Sequence, residues 1–284
     1  TPLQAGVVAG GNASFIVEGG DASEVAYVTF SLHGARAAVR GHFFSVNAST
    51  VKGVSIAVHN STIAVLPAAN RTLGSGVDPL AGSASAFCFI HARNVTHSTL
   101  AVSGSTVTVA GGPNPAVPAC ALSIVHARAA AVASPLTVSY VVLLAANASH
   151  VAVASDNGDA VALSIAASAA VVSDVEIVVA ASHVNSSNDG GIVGLVVAAA
   201  SVYALSSPST LTNLRVDRVM HLACSGAKVS ASTISTDSYA LSLAIAVLRG
   251  DAPAIAAEDV ALIAANRTTI RSTSAGPGLG RRPR

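Results

Sequence analysis

The string Ala145-Ala-Asn-Ala-Ser-His-Val151 returns later in the chain as Ala264-Ala-Asn-Arg-Thr-Thr-Ile270, and a shortened version, Ala180-Ala-Ser-His-Val184, lies between them. A second string, Ala121-Leu-Ser-Ile124, is echoed by Ala162-Leu-Ser-Ile165 and Ala240-Leu-Ser-Leu243. Leu122 to Val151 and Leu241 to Ile270 cover the same distance, 29 positions. Starts at Leu122, Leu163, Leu195 and Leu241 lie about 40 residues apart, and self-similarity at a period of 20–50 residues marks a solenoid or a propeller. A unit of that size cannot bury its apolar face alone and gains a core only by stacking on its neighbours.

The units are built from short alternating runs such as Val54-Ser-Ile-Ala-Val58, Thr106-Val-Thr-Val-Ala110 and Thr137-Val-Ser-Tyr-Val141. Period-two patterning with β-branched residues predicts strands. Clusters such as Gly111-Gly-Pro-Asn-Pro115, Asp156-Asn-Gly-Asp159 and Asn188-Asp-Gly-Gly191 punctuate them as turns. Alanine favours helices, yet long stretches at helical spacing are missing, and only over Ala166 to Val172 do the two readings compete. The expected fold is therefore all-β: a parallel, right-handed β-helix or β-solenoid, with two coils of about 20 residues in each unit. An array of β-sandwiches is the alternative. Residues 1–275 are expected to form one solenoid segment of a larger repeat protein, and the Gly/Pro/Arg-rich residues 276–284 a tail. Leu122, Leu163 and Leu241 are expected to point inward. A polar substitution at Leu163 should then cost several times more than one at Ser164.

Composition fits closely stacked layers. Hydrophobic residues make up 51% of the 284, chiefly Ala and Val, and charged residues only 10%, against about 25% in ordinary domains. A net charge of +1 steers nothing toward nucleic acid or anionic lipid. The basic spans His91-Ala-Arg93 and Arg215 to Arg218 lack interleaved aromatics for stacking on bases. No stretch reaches the roughly 18 uninterrupted apolar residues of a membrane span; the longest, Ala160 to Val172, is broken by serine and followed by Asp174 and Glu176. A signal peptide and membrane anchor are expected outside this segment. The cysteines are Cys88, Cys120 and Cys224. An odd count leaves two readings: three buried thiols, or a Cys88–Cys120 bridge between neighbouring repeats.

Asn-x-Ser/Thr occurs at Asn12, Asn47, Asn60, Asn70, Asn94, Asn147, Asn185 and Asn266, so eight of the twelve asparagines lie in acceptor motifs. Chance at this Ser/Thr content gives roughly two or three. The excess points to N-glycosylation on surface turns in the secretory pathway, at the cell surface or secreted. The competing explanation is that asparagine sits at turns because it tolerates left-handed backbone, with Ser and Thr nearby by composition.

The strings Asn-Ser-Thr-Ile-Ala-Val from Asn60 and Asn-Val-Thr from Asn94 carry a family resemblance. So do the units in which Ala-Leu-Ser-Ile is followed by Ala-Ala-Asn-Ala-Ser. From about Gly11 to Ser272 the chain resembles the dispersed gene family protein 1 surface proteins of trypanosomes. The resemblance implies a large glycosylated surface protein with β-helix repeats, an anchor far downstream and an adhesive role, of which this chain is a fragment.

No catalytic residue, metal site or cofactor is expected. The nine histidines contain no His-Glu-x-x-His and no Cys/His set at zinc spacing, and no Gly-x-Ser-x-Gly elbow is present. His150 and His183 fall at matching repeat positions, which reads as stacked histidines at a coil corner. Parallel β-helices also host polysaccharide lyases and hydrolases, whose chemistry needs clustered carboxylates. For that alternative the candidates are Asp174 and Glu176, two residues apart on one strand face; Asp156 and Asp159 read as hairpin turn chemistry around Asn157-Gly158. The partner expected is an extracellular protein or glycan. A third reading is a non-functional remnant of a surface gene family.

Overall fold

The computed structural model describes residues 15–18, 24–68, 72–73, 76–77, 84–90, 92–111, 119–125, 136–156, 158–167, 170–189, 196–205, 213–235, 238–248 and 254–274. They form a parallel β-solenoid of seven coils, with no helix among the described residues. Each coil contributes one strand to each of three sheets. Sheet A stacks Phe15–Glu18, His42–Asn47, Ala84–Ile90, Ala119–Val125, Ala160–Ala167, Val196–Leu205 and Tyr239–Leu248. Sheet B ends in the long strands Asn94–Ser103, Leu136–Ala146, Ala170–Ala180, Asn213–Cys224 and Ala254–Ala264; in the first two coils it is split into Glu24–Ala26 with Thr29–His33, and Thr50–Lys52 with Ser55–His59. Sheet C stacks Arg36–Arg40, Thr62–Leu66, Thr106–Gly111, His150–Ser155, His183–Asn188, Lys228–Thr233 and Thr269–Ser274. A small antiparallel pair, Thr72–Leu73 with Gly76–Val77, lies between the second and third coils.

The coil is longer than the sequence suggests. Equivalent corner residues bond across coils at separations of 26, 44, 44 and 33 residues. The unit of about 40 residues is therefore one three-stranded coil, not two coils of about 20. The strand runs of one unit were legible, but nothing in their spacing distinguishes two short turns from three faces of one.

The three sheets bury different amounts of surface, and their sequences differ accordingly. Before the last coil, strands of sheets B and C alternate buried and more open positions, as in Thr106–Gly111 and His183–Asn188. The middle strands of sheet A are buried throughout, every residue of Ala119–Val125 and Ala160–Ala167 included, while the last, Tyr239–Leu248, is mostly half-buried. A parallel strand covered on both faces reads as a continuous apolar run, which is why Ala160–Ala167 looks neither alternating nor amphipathic. Its strands bend: Ala121 and Leu122 are consecutive and both belong to the main core, while Cys120 and Val125 pack in a second cluster on the other face.

That bend corrects one alignment. Leu122 pairs with Phe87, and Leu163 pairs with Ala200, which pairs in turn with Leu243. Leu122 and Leu163 are fully buried in the main core, but Leu241 pairs with Ala198 and sits in the second cluster. The third Leu-Ser echo is thus out of register by two. Ser164 is also fully buried, and its hydroxyl accepts a bond from the Ser201 N–H at 3.1 Å. It is not the tolerant neighbour that alternation implied. The other echo is in register: Ala145 aligns with Ala264 through Val179 and Ala223.

The two ends of the core differ. Phe30, Phe43, Phe44 and Phe87 pack as a ring cluster in the first three coils, with centroids 4.8–6.3 Å apart. At the other end Ile255 and Leu262 are each half exposed, although they align with the buried Leu214 and His221. Among the described residues no further layer covers the inward side chains of this last coil.

Candidate functional site

Two columns of left-handed backbone run along the solenoid, and they position the outward side chains. The first turns the chain from sheet B to sheet C. It contains Gly34, Asn60, Gly104, Asn147 with Ala148, Ala181, Ser225 with Gly226, and Asn266 with Arg267, all at φ between 47° and 79°. Gly and Asn adopt this region at little cost. The residue after each turn is Ser61, Ser105, Ser149 or Ser182 in the middle coils. Each of these hydroxyls bonds a carbonyl of its own corner and accepts the N–H of the corner residue one coil back. Thr268 takes the same place after Asn266, its hydroxyl donating to the Ala265 carbonyl at 2.6 Å.

This corner accounts for part of the acceptor-motif excess. An asparagine in left-handed backbone followed by a capping Ser or Thr is Asn-x-Ser/Thr at Asn147 and Asn266, and the same turn holds Asn60. All three asparagines are exposed. Asn94 is different. It is exposed at the start of its sheet-B strand, pairs with Thr50 and Thr137, and is not in left-handed backbone. Asn185 is half-buried and its Oδ1 accepts a bond from Ser230 at 2.8 Å. Asn47 ends its sheet-A strand. Asn12 and Asn70 lie outside the described residues.

The second column crosses the middle of sheet B and comprises Tyr27, Gly53, His97, Tyr140, Asp174, Arg218 and Asp259, with φ from 48° to 61°. Strand pairing skips these positions, so every coil but the second, which has Gly53, lifts one side chain off the sheet along one line. Tyr27 and Tyr140 are 64% and 55% exposed. Tyr27 lies over Gly53, whose missing Cβ would stand 3.0 Å from the tyrosine ring. His97 and Tyr140 stack at 4.8 Å with planes 23° apart. Arg218 then grips Asp174 with two nitrogens, at 2.6 and 2.9 Å, and reaches Asp217 at 2.6 Å. The guanidinium holds the Asp174 carboxyl below the usual range.

Asp174 is therefore a paired carboxylate. Glu176 is exposed, two residues on, and its register partners are Val142 and Met220. Sequence reading gave Asp174 no cationic partner; Arg218 is 44 residues away. Tyr27, His97 and Tyr140 carried no local signal, because the line they share is created only by coil length. Asp159 is not a hairpin residue: its Oδ1 accepts the Val196 N–H at 2.8 Å, tying one coil to the next.

His150 and His183 are register partners on adjacent sheet-C strands, their rings 6.2 Å apart and edge to face, with planes at 73°. Burial and the neighbouring Lys228 hold His183 below its ordinary value. Among the described residues no group of three or more His, Cys, Asp or Glu converges as metal ligands. Cys88 and Cys120 are joined as a disulfide between adjacent sheet-A strands, Cα atoms 6.6 Å apart, and Cys224 is free. Comparison with protein-family models, curated proteins and solved structures returns no match.

Proposed function

We propose that this chain is a segment of an N-glycosylated protein of the secretory pathway, displayed at the cell surface, where its solenoid serves as an adhesion module. In this reading it is a fragment related to the dispersed gene family protein 1 surface proteins of trypanosomes, with the membrane anchor outside this segment. Asn94 carries the proposal. The corner explains asparagine at positions 60, 147 and 266 by backbone geometry alone, whereas Asn94 is an exposed acceptor that the fold does not require. The Cys88–Cys120 disulfide supports the same compartment, since such bonds persist in oxidising surroundings.

The test is expression of the chain behind a signal peptide in eukaryotic cells, followed by enzymatic removal of N-glycans and mapping of the Asn-to-Asp conversions. Conversion at Asn94, and one glycan fewer in Asn94→Gln, is the expected result. A secreted chain unmodified at Asn94 overturns the proposal.

A further inference from the structure

The two left-handed columns are filled by different residues. The corner uses Gly, Asn, Ala and Ser at nearly every position, the small residues such backbone tolerates. The sheet-B line uses Tyr, His, Tyr, Asp, Arg and Asp with a single glycine. A bulky side chain in left-handed backbone is an outlier, and strain of this kind persists where the side chain is needed. Two of the four tyrosines of the chain stand on this line with more than half their surface open, while Tyr203 is buried and the phenylalanines Phe30, Phe43, Phe44, Phe87 and Phe89 fill the core.

We propose that the line from Tyr27 through His97 and Tyr140 to the Asp174–Arg218 pair binds a neutral, linear glycan lying along the solenoid axis. The inference rests on the adhesion reading and names its ligand. Ring faces and edges offer apolar area at low conformational cost for the C–H faces of sugar rings. The Asp174 carboxylate, the Arg218 guanidinium and the His97 ring supply polar groups for hydroxyls along the same line. The positions on one side of the line, Lys52, Thr96, Ser139, Ser173 and Asp217, are polar, and on its other side the half-buried Val142 and Met220 flank the exposed Glu176. With Lys52 and Arg218 set against Asp174, Asp217 and Asp259, the line has no excess of positive charge to hold phosphate backbones or acidic polysaccharides. Coils repeat at about 4.8 Å, so the line from Tyr27 to Arg218 spans about 24 Å, long enough for several sugar rings in a row.

The test uses the full chain made in bacteria and refolded, which carries no N-glycans and is independent of the compartment assignment. Calorimetric titration with hexasaccharides of β-1,4-linked glucose, β-1,4-linked N-acetylglucosamine and α-linked mannose is the measurement. Binding of at least one is expected, weakened about tenfold or more by Tyr27→Asn and by Tyr140→Asn, and retained by Tyr140→Phe. Because asparagine suits left-handed backbone, the same Asn variants should melt at or above the parent temperature. No binding to any of the three, or binding indifferent to the loss of both rings, overturns the proposal. Absence of glycosylation in secreted material would instead overturn the surface reading and leave this result standing.

Discussion

The backbone N–H of Ser149 donates to the hydroxyl of Ser182 at 3.1 Å, from one coil to the next. The Ser182 hydroxyl in turn donates to the Ala180 carbonyl at 2.8 Å, and both serines are buried. Ser182→Ala leaves a buried N–H without its acceptor, at a cost of about 1–3 kcal/mol. Urea denaturation should show that loss, and Ser230→Ala, on a half-buried hydroxyl facing Asn185, should lower stability by no more than about 0.5 kcal/mol.

Leu163 and Leu241 test the register. Leu163 is fully buried in the main core and Leu241 lies in the outer cluster of sheet A. Leu163→Ala should cost about 2–5 kcal/mol, and Leu241→Ala clearly less, because less of its surface is buried. Equal losses in thermal or urea unfolding would contradict the two-residue offset.

How much of this was legible in the sequence follows from what is local. Alternation along Thr106–Gly111 and the Asn147/Asn266 turn were readable, because strand period and left-handed turn chemistry act within a few residues. Leu241 was misplaced because Ala240-Leu-Ser-Leu243 matches the earlier strings in letters while the strand bend shifts which residue turns inward. The Tyr27–Arg218 line depends on coil separations that vary between 26 and 44 residues, so no fixed period could reveal it. The Asp174–Arg218 pair was hidden for the same reason.

His221 sits in the core column between Ile177 and Leu262, and neither ring nitrogen has a hydrogen-bond partner. Burial pushes its pKa down to about 4 from an ordinary 6.5. The unfolded chain therefore takes up the proton first as pH falls. Stability should be full above pH 6.5 and decline toward pH 4, by on the order of 2–3 kcal/mol. His221→Leu should remove most of that slope in urea titrations across this range. An unchanged slope would place the acid sensitivity elsewhere.

Thiol chemistry checks the cysteine assignment. With Cys88 and Cys120 joined and Cys224 free, the unfolded, unreduced chain should take up one maleimide. Reduction before labelling should raise this to three. Three labels without reduction would mean that the bridge is absent.

The most direct measurement is the distance between spin labels at Asn60→Cys and Asn266→Cys in a Cys224→Ser background. Both positions occupy the sheet-B to sheet-C corner, in the second and seventh coils. Five steps of about 4.8 Å place them about 24 Å apart. A narrow distribution centred near that value is expected if each coil carries three strands and the outward residues form axial lines. A distance near 48 Å, the length of about ten coils of 20 residues at the same spacing, or a broad distribution, would contradict the stacked-coil arrangement and with it the line of side chains on sheet B.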